Sequence, residues 1–165
     1  MEIVHTPVLL NECLEWLSPE GELFENNAFM IDSTLGEGGH SNAFLLKFPN
    51  LHILGLDADK NIQAKAKERL APFGSRMNFY NGWFNNFYKN FDMTSERPNL
   101  ILFDLGISVY HYEQSGRGFS FRYDEPLDMR LNFSEGETAA DIVNNLREDE
   151  LANIIYLYSD EKFSR

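Results

Sequence analysis

Short apolar runs alternate with amphipathic segments over roughly the first 110 positions of this 165-residue chain. The runs that read as strands are 28–32, 51–59, 77–82 and 99–106. Segments with helical spacing of apolar positions separate them and are 7–17, 41–48, 60–70 and the aromatic-rich 82–91. Strands alternating with helices are typical of βαβ units, in which helices cover both faces of a parallel sheet. The pattern therefore predicts an α/β fold up to about residue 110.

Residue types at the segment ends support this division. Thr6 followed by Pro7 predicts an N-cap with proline in the first helical position, and Asp59 predicts a cap for the helix 60–70. Beyond residue 110 the character changes, because 115–130 is polar, aromatic and rich in turn residues. Two helices are predicted after it, at 138–146 and 147–158, the first with a Thr138/Asp141 capping box.

Three glycines, Gly36, Gly38 and Gly39, stand in the stretch "DSTLGEGGHS" behind the first predicted strand. Glycines between a strand and a helix allow backbone N–H groups to approach a ligand closely, although a tight surface turn gives the same pattern. Asp57 ends the next strand 21 residues after Gly36. That spacing suits the acidic residue that binds ribose hydroxyls, the alternative being a simple turn aspartate.

The type of nucleotide follows from the same stretch. A dinucleotide-binding G-x-G-x-x-G pattern from Gly36 needs glycine or alanine where the chain has Ser41. An acidic residue, Asp32, followed by clustered glycines instead favours S-adenosylmethionine. Phe84 is expected to cover the adenine, while its aromatic neighbours in 82–91 are expected to be core. Asp104 is expected to close the fourth strand beside the sulfonium, or to cap the following turn.

The net charge of the chain limits how it could bind nucleic acid. The formal net charge is −12, which argues against binding nucleic acid by bulk electrostatics but leaves room for a local basic patch. In 115–130 three arginines alternate with aromatic residues: Arg117, Arg122, Arg130, Phe119, Phe121 and Tyr123. This set could stack on single-stranded RNA. Arginine–carboxylate pairs with Asp124, Glu125 and Asp128 could equally well make it a structural loop.

Features that the sequence lacks bear on the expected cellular location and on metal binding. Cys13 is the single cysteine, no stretch of 18 apolar residues occurs, and the first ten residues do not follow the pattern of a signal peptide. We therefore expect a cytoplasmic protein with no membrane span, and we predict no metal site.

Seven motifs in the same order resemble the bacterial RsmH (MraW) family: "HTPVLL", "DSTLGEGGHS", "LGLDAD", "FDLGIS", "GRGFSFR", "PLDMR" and "TAADIVN". Members of that family methylate N4 of a cytosine in small-subunit ribosomal RNA with S-adenosylmethionine. The resemblance implies a Rossmann-like class I methyltransferase fold, of which this chain holds the first four parallel strands. It also implies a cofactor domain over 1–112 and the start of an inserted helical domain over 113–165.

The resemblance also assigns residues. Gly38, Gly39 and His40 would contact the cofactor, Asp57 its ribose and Phe84 its adenine. Asp104 would bind the methionine part and act as the catalytic residue. The family commonly has "GVSSPQLD" where this chain has "GISVYHYE", so that His111 stands at the position of a cofactor-binding glutamine and Tyr110 replaces a proline.

Two other functions stay open on the sequence. Family members are about twice as long, so the chain is expected to be truncated and could be a non-catalytic fragment that binds cofactor or a partner. Its fourth strand would then be an exposed edge, which a homodimer could cover. The second alternative is an NAD-dependent oxidoreductase domain. The expected substrate is small-subunit ribosomal RNA or the assembled subunit.

Overall fold

The computed structural model describes residues 7–17, 27–92, 94–159 and 161–164. Its four strands are β1 (Phe29–Asp32), β2 (His52–Asp57), β3 (Met77–Asn81) and β4 (Leu100–Leu102). They pair in parallel in the order β3-β2-β1-β4. This order is that of the first half of a doubly wound Rossmann sheet, and the predicted parallel α/β fold is confirmed.

Among the described residues, all helices except the one over Val109–Glu113, which was not predicted, lie where the sequence pattern predicts them. The helices are α1 (Leu10–Trp16), α2 (Gly39–Lys47), α3 (Lys60–Leu70), α4 (Phe84–Asn90), α5 (Val109–Glu113), α6 (Ala139–Asn145) and α7 (Glu148–Tyr158), with a 3₁₀ segment over Ala71–Arg76. Asp59 caps α3 as predicted, because its Oδ1 accepts the Asn61 N–H at 2.9 Å. The capping box of Thr138 and Asp141 is also confirmed.

The start of the first helix differs from the prediction. α1 begins at Leu10, behind a Leu9 whose φ of 51° lies in the left-handed region, so Pro7 is not in the first helical position. The predicted cap, Thr6, lies outside the described residues. A Cβ on Gly39 would overlap the Pro7 ring, which shows that Pro7 packs against the glycine loop. This contact joins the segment before α1 to the glycine loop.

The fourth strand is shorter than predicted, so Asp104 does not close it but lies two residues beyond its end. The ladder with β1 ends where the Ser33 N–H donates to the Leu102 carbonyl at 2.9 Å. The Asp104 N–H donates instead to a side chain, Thr34 Oγ1, at 2.8 Å. Because β1 turns away into the glycine loop at this point, the backbone beyond Leu102 has lost its strand partner.

One close packing contact directs the chain after β1 across β2. Leu35 is buried, and a Cβ on Gly55 would lie 2.8 Å from its Cδ1 and 2.7 Å from Met77 Cε. The Leu35 N–H also donates to the Leu56 carbonyl at 2.9 Å. Gly55 therefore lets Leu35 sit directly on β2, and this brings Gly36 to the carboxyl end of that strand. The surrounding core consists of Ala28, Met30, Leu35, Phe44, Leu45, Leu51, Ile53, Ala66, Leu70, Met77 and Leu102.

The chain forms two compact units, Met1–Val109 and Tyr110–Arg165. The sheet and the glycine loop belong to the first unit, while α6 and α7 belong to the second. The functions assigned to domains 1–112 and 113–165 stay a prediction. In the described part of the chain, no helix has the length and hydropathy that crossing a membrane requires.

Candidate functional site

The glycine loop joins β1 to α2 and contains two residues in left-handed conformation. Gly36 has a φ of 53° and Gly38, the N-cap of α2, a φ of 76°. The Gly36 N–H donates to Asp57 Oδ2 at 2.8 Å. A Cβ on Gly36 would meet no heavy atom within 4 Å, so this side of the loop faces open space.

The other two glycines are required by packing within the fold. A Cβ on Gly38 would lie 2.7 Å from Leu70 Cδ1, at the end of α3, and one on Gly39 would overlap the Pro7 ring. Their backbone contact with a cofactor stays a prediction. Of the three glycines, Gly36 is the one whose missing side chain leaves room beside the loop.

Asp57 ends β2, as the sequence predicted, and its side chain is partly exposed. Oδ2 accepts the Gly36 N–H and Oδ1 accepts the Asp59 N–H, both at 2.8 Å. Its carbonyl oxygen accepts the Gly82 N–H at 2.8 Å, which ties β2 to the residues that follow β3.

Asp32, at the end of β1, is buried and holds the glycine loop in place. Ser41 Oγ donates to its Oδ2 at 2.7 Å, and the Thr34 N–H lies 3.3 Å from its Oδ1. Burial raises the pKa of this carboxyl, an effect that the hydrogen bonds from Ser41 and Thr34 oppose. Ser41, which argued against a dinucleotide pattern, therefore has a structural role in fixing the loop.

Asp104 presents about half of its side chain to solvent just beyond the carboxyl end of β4. Its Oδ2 lies 3.9 Å from Nδ1 of His40, a buried residue in the first turn of α2. Nε2 of the same ring lies 3.1 Å from the Val8 carbonyl oxygen. With Thr34 holding its backbone N–H, Asp104 is thus positioned by a loop residue and a helix residue.

Aromatic rings surround the start of α4. Phe84 is half-buried and meets Phe103 edge-on, with ring centroids 5.4 Å apart, and Tyr88 lies 5.9 Å from the same ring. The Tyr88 hydroxyl and Ser33 Oγ are hydrogen-bonded at 2.8 Å. The α4 aromatics, predicted to be mostly core, are instead only partly buried and stack on one another. The adenine contact of Phe84 stays a prediction.

His111 lies in the second unit, in α5. Its ring is buried and meets Tyr110 and Phe119 edge-on, with centroids 5.5 and 5.3 Å away. Ser115 Oγ donates to its carbonyl oxygen at 2.6 Å. Aromatic packing therefore fixes this ring within its own unit, and its predicted contact with the cofactor is not tested by these contacts.

The arginines of 115–130 have different environments. Arg117 is buried; its Nη1 donates to the carbonyls of Arg130 and Leu131 at 2.7 and 3.2 Å, and its guanidinium lies 4.6 Å from the Phe133 ring centre. Arg130 binds Asp128 through two hydrogen bonds, of 2.9 and 2.7 Å, and this pairing lowers the pKa of Asp128. Arg130 thus forms the arginine–carboxylate pair of the structural alternative, Arg117 is held by backbone carbonyls, and Arg122 is exposed.

The donor set in the first unit suits one class of ligand. Asp57 ends β2, Asp104 lies two residues beyond β4, and none of the predicted site residues is lysine or arginine. Carboxylates accept hydrogen bonds from hydroxyls and attract a cation, and they repel a phosphate. The residues therefore fit S-adenosylmethionine, with its ribose and sulfonium, better than a pyrophosphate-containing dinucleotide.

Comparison with known proteins agrees with this chemistry. A model of the MraW methylase family matches residues 2–165. The chain belongs to the MraW methylase family. The predicted resemblance is confirmed, and membership of a methylase family removes the reason for considering an NAD-dependent oxidoreductase.

Relatives within the MraW methylase family are similar over the whole chain. A "Ribosomal RNA small subunit methyltransferase H" from Treponema denticola is 55% identical over 165 residues, which are 100% of this chain and 51% of that protein. A protein of the same name from Borrelia hermsii is 45% identical, over 99% of this chain and 54% of its own length. The chain thus spans about half the length of these curated relatives.

Solved structures are more remote. One from Clostridium thermocellum is 18% identical, covers 54% of this chain and 50% of its own, and has a TM-score of 0.39. One from Pyrococcus horikoshii is 16% identical, covers 52% of this chain and 32% of its own, and has the same TM-score.

Three residues that position the site were missed by sequence reasoning. They are Val8, whose carbonyl holds His40, Thr34, which holds the Asp104 backbone, and Ser41, which holds Asp32. Thr34 and Ser41 lie inside the glycine stretch, where hydroxyl side chains between a strand and a helix are a usable signal for loop-fixing hydrogen bonds. Val8 acts through its backbone, and its identity carried no such signal.

Proposed function

We propose that this chain is the S-adenosylmethionine-binding part of a methyltransferase that modifies N4 of a cytosine in small-subunit ribosomal RNA. The observation that carries the proposal is the hydrogen bond of 2.8 Å from the Gly36 N–H to the Asp57 carboxylate, at a loop residue whose Cβ position is open space. Relatives named for methylation of the small-subunit RNA support the substrate class. Because the chain spans half of their length, the activity of the whole protein is part of the proposal.

Each predicted residue has a proposed role in holding the cofactor. Asp57 would accept hydrogen bonds from the ribose hydroxyls, and Phe84 would pack on the adenine. The backbone of the glycine loop, with Gly36, Gly38, Gly39 and His40, would line the cofactor, and a cofactor contact of His111 stays a prediction. When bound, S-adenosylmethionine supplies an electrophilic methyl group.

Asp104 is proposed to act on the amine. The exocyclic nitrogen of cytosine is a poor nucleophile because its lone pair is delocalised into the ring. A carboxylate that accepts a hydrogen bond from this amine favours a pyramidal nitrogen, with its lone pair available for attack. Positioning of the amine would contribute much of the acceleration. The nitrogen then loses its proton to water.

The target cytosine has to leave its stack to reach Asp104. With a net charge of −12, the protein is proposed to recognise an assembled small subunit through local contacts, and not free RNA through bulk attraction. A cytoplasmic location and a homodimer remain part of the same proposal.

Calorimetric titration with S-adenosylmethionine, with NADH as the control ligand, tests the cofactor. Saturable binding of the first ligand alone is expected, and Asp57→Asn should weaken it at least about tenfold, since a neutral amide is a poorer partner for two hydroxyls. Asp92→Asn is the matched control, because Asp92 is exposed and its carboxylate accepts hydrogen bonds from the Thr94 N–H and Oγ1. No binding by a folded chain would favour the non-catalytic fragment.

Transfer of tritiated methyl groups to small subunits tests the reaction and the role of Asp104. Asp104→Asn is expected to reduce turnover at saturating cofactor by about 100-fold or more. Full turnover of that variant would exclude Asp104 as the acceptor. Mass analysis of digested RNA then identifies the modified atom, and a label found elsewhere than on cytosine N4 would correct the assigned substrate.

A further inference from the structure

An eight-residue loop, 118–125, projects from the second unit on a fixed base. Glu125 Oε2 accepts the Gly118 N–H at 2.9 Å, which closes the loop between its two ends. Just below it, the Met129 N–H donates to the Arg117 carbonyl at 2.9 Å. Gly118 has a φ of 72°, and a Cβ there would lie 2.6 Å from the Pro126 carbonyl oxygen. Backbone contacts therefore set the direction in which the loop leaves the unit.

The base of this loop rests on the buried Arg117. Its guanidinium donates to two carbonyls of the returning chain, those of Arg130 and Leu131, and stacks on Phe133. Arg130 in turn is held by Asp128. Arg117 and Arg130 thus stabilise the base of the loop 118–125, and we do not expect their guanidinium groups to bind a ligand.

The end of the loop carries three exposed side chains in a row. Phe121 is fully exposed, at 101%, Arg122 is exposed, and Tyr123 is 51% exposed. We call Phe121, Arg122 and Tyr123 the aromatic tip. Solvent-exposed aromatic rings lack the favourable free energy that burial would contribute. Exposed apolar surface of this kind is typical of interaction sites.

We propose that the aromatic tip is a stacking platform for unpaired bases of single-stranded RNA. This inference rests on the proposed function, which supplies an RNA substrate, and it names a surface by which that substrate is held. Phenylalanine, tyrosine and the planar guanidinium of arginine all stack on bases, and their pattern in the tip is aromatic–cation–aromatic.

The charge of the aromatic tip favours contact with RNA bases over contact with phosphates. Arg122 is the one cation of the tip, and Asp124 follows Tyr123 directly. Phosphate neutralisation can therefore contribute about one contact, so the affinity depends on stacking and falls only gently with salt. The same apolar rings could also bind a protein partner. A tip that serves to bind a protein would show no preference for unpaired over paired RNA.

The test is fluorescence anisotropy of a labelled single-stranded oligoribonucleotide titrated with the full chain. Phe121→Ala and Tyr123→Ala are each expected to weaken binding by roughly 5- to 100-fold. Phe163→Ala is the matched control, because Phe163 is 94% exposed in the same unit but lies outside the loop, and it should bind as the parent does. Arg122→Lys keeps the positive charge but removes the planar guanidinium group, and it is expected to weaken RNA binding less than Phe121→Ala does.

Three results would overturn the platform: unchanged affinity of Phe121→Ala, equal affinity for duplex RNA, or a salt slope indicating several phosphate contacts. Calorimetry with S-adenosylmethionine on the same variants separates this inference from the proposed function. Loss of RNA binding in Phe121→Ala without any cofactor binding in the parent supports the platform and contradicts the proposal that this chain binds S-adenosylmethionine. Cofactor binding by the parent, with RNA affinity unchanged in Phe121→Ala, contradicts the platform alone.

Discussion

His40 Nδ1 faces a carboxylate oxygen of Asp104 at 3.9 Å, while Nε2 on the opposite side of the ring lies 3.1 Å from the Val8 carbonyl. A carbonyl accepts hydrogen bonds and cannot donate them, so Nε2 carries the proton. The Nδ1 side of the ring consequently faces Asp104. His40 thereby links the segment before α1 to the proposed catalytic carboxylate.

His40→Phe keeps a ring and removes both polar contacts. We expect a loss of about 1 kcal/mol in the free energy of unfolding, because the Val8 carbonyl loses its partner. Methyl transfer should fall severalfold as Asp104 becomes less well positioned. His52→Phe, at the amino end of β2, is the matched control. Equal stability and turnover in the two variants would show that the His40 contacts contribute little.

Gly36→Ala and Gly38→Ala are expected to fail for different reasons. At Gly36 the new methyl group meets open space, so stability should fall by only about 1 kcal/mol from the left-handed φ, while cofactor affinity falls more clearly. At Gly38 the methyl group also overlaps Leu70, and a loss of about 2–4 kcal/mol is expected.

Urea unfolding and calorimetric titration of both glycine variants check this pair of predictions. A Gly36→Ala chain that binds cofactor as the parent does would mean that the open side of the loop is not the binding surface. Equal loss of stability in the two variants would contradict the packing of Leu70 on Gly38.

Asp32 should give the protein an unusual dependence of stability on pH. Burial raises its pKa in the folded state above the unfolded value, so the folded state binds this proton more tightly. Its contribution is therefore most favourable below the unfolded pKa and is lost as pH rises through the folded pKa. Asp32→Asn removes the titration.

Urea unfolding of parent and Asp32→Asn over a pH series measures this effect. The parent should be more stable relative to the variant at acidic pH than at neutral pH. Parallel curves would mean that the hydrogen bonds from Ser41 and Thr34 cancel the effect of burial.

Arg117→Met tests whether this arginine supports the loop. The carbonyls of Arg130 and Leu131 lose a charged donor, and we expect the second unit to lose about 2 kcal/mol of stability. Hydrogen exchange of amides over 118–131 should accelerate accordingly. Arg122→Met, at an exposed position, is the matched control and should change stability by less than about 0.5 kcal/mol. Similar protection in both variants would refute the supporting role.

The sequence predicts those features that depend on short-range pattern. Apolar runs locate the four strands, and the position of Asp57 at the end of β2 follows from one such run. Features that depend on distant residues were not predictable. Leu9 takes a left-handed conformation where Pro7 packs on Gly39, and β4 ends early where the Thr34 hydroxyl takes the Asp104 N–H. Burial of Arg117 likewise depends on carbonyls thirteen or more residues away.

The contact between Leu70 and Gly38 joins the open loop to the end of a helix some thirty residues along the chain. Its consequence appears on warming. Fraying of the last turn of α3 would withdraw Leu70 and release the loop while the sheet is still intact. The affinity for S-adenosylmethionine should therefore decline at temperatures below the melting temperature of the sheet. The fraction of chains with bound cofactor would then depend on the integrity of α3, a helix that need not contact the cofactor.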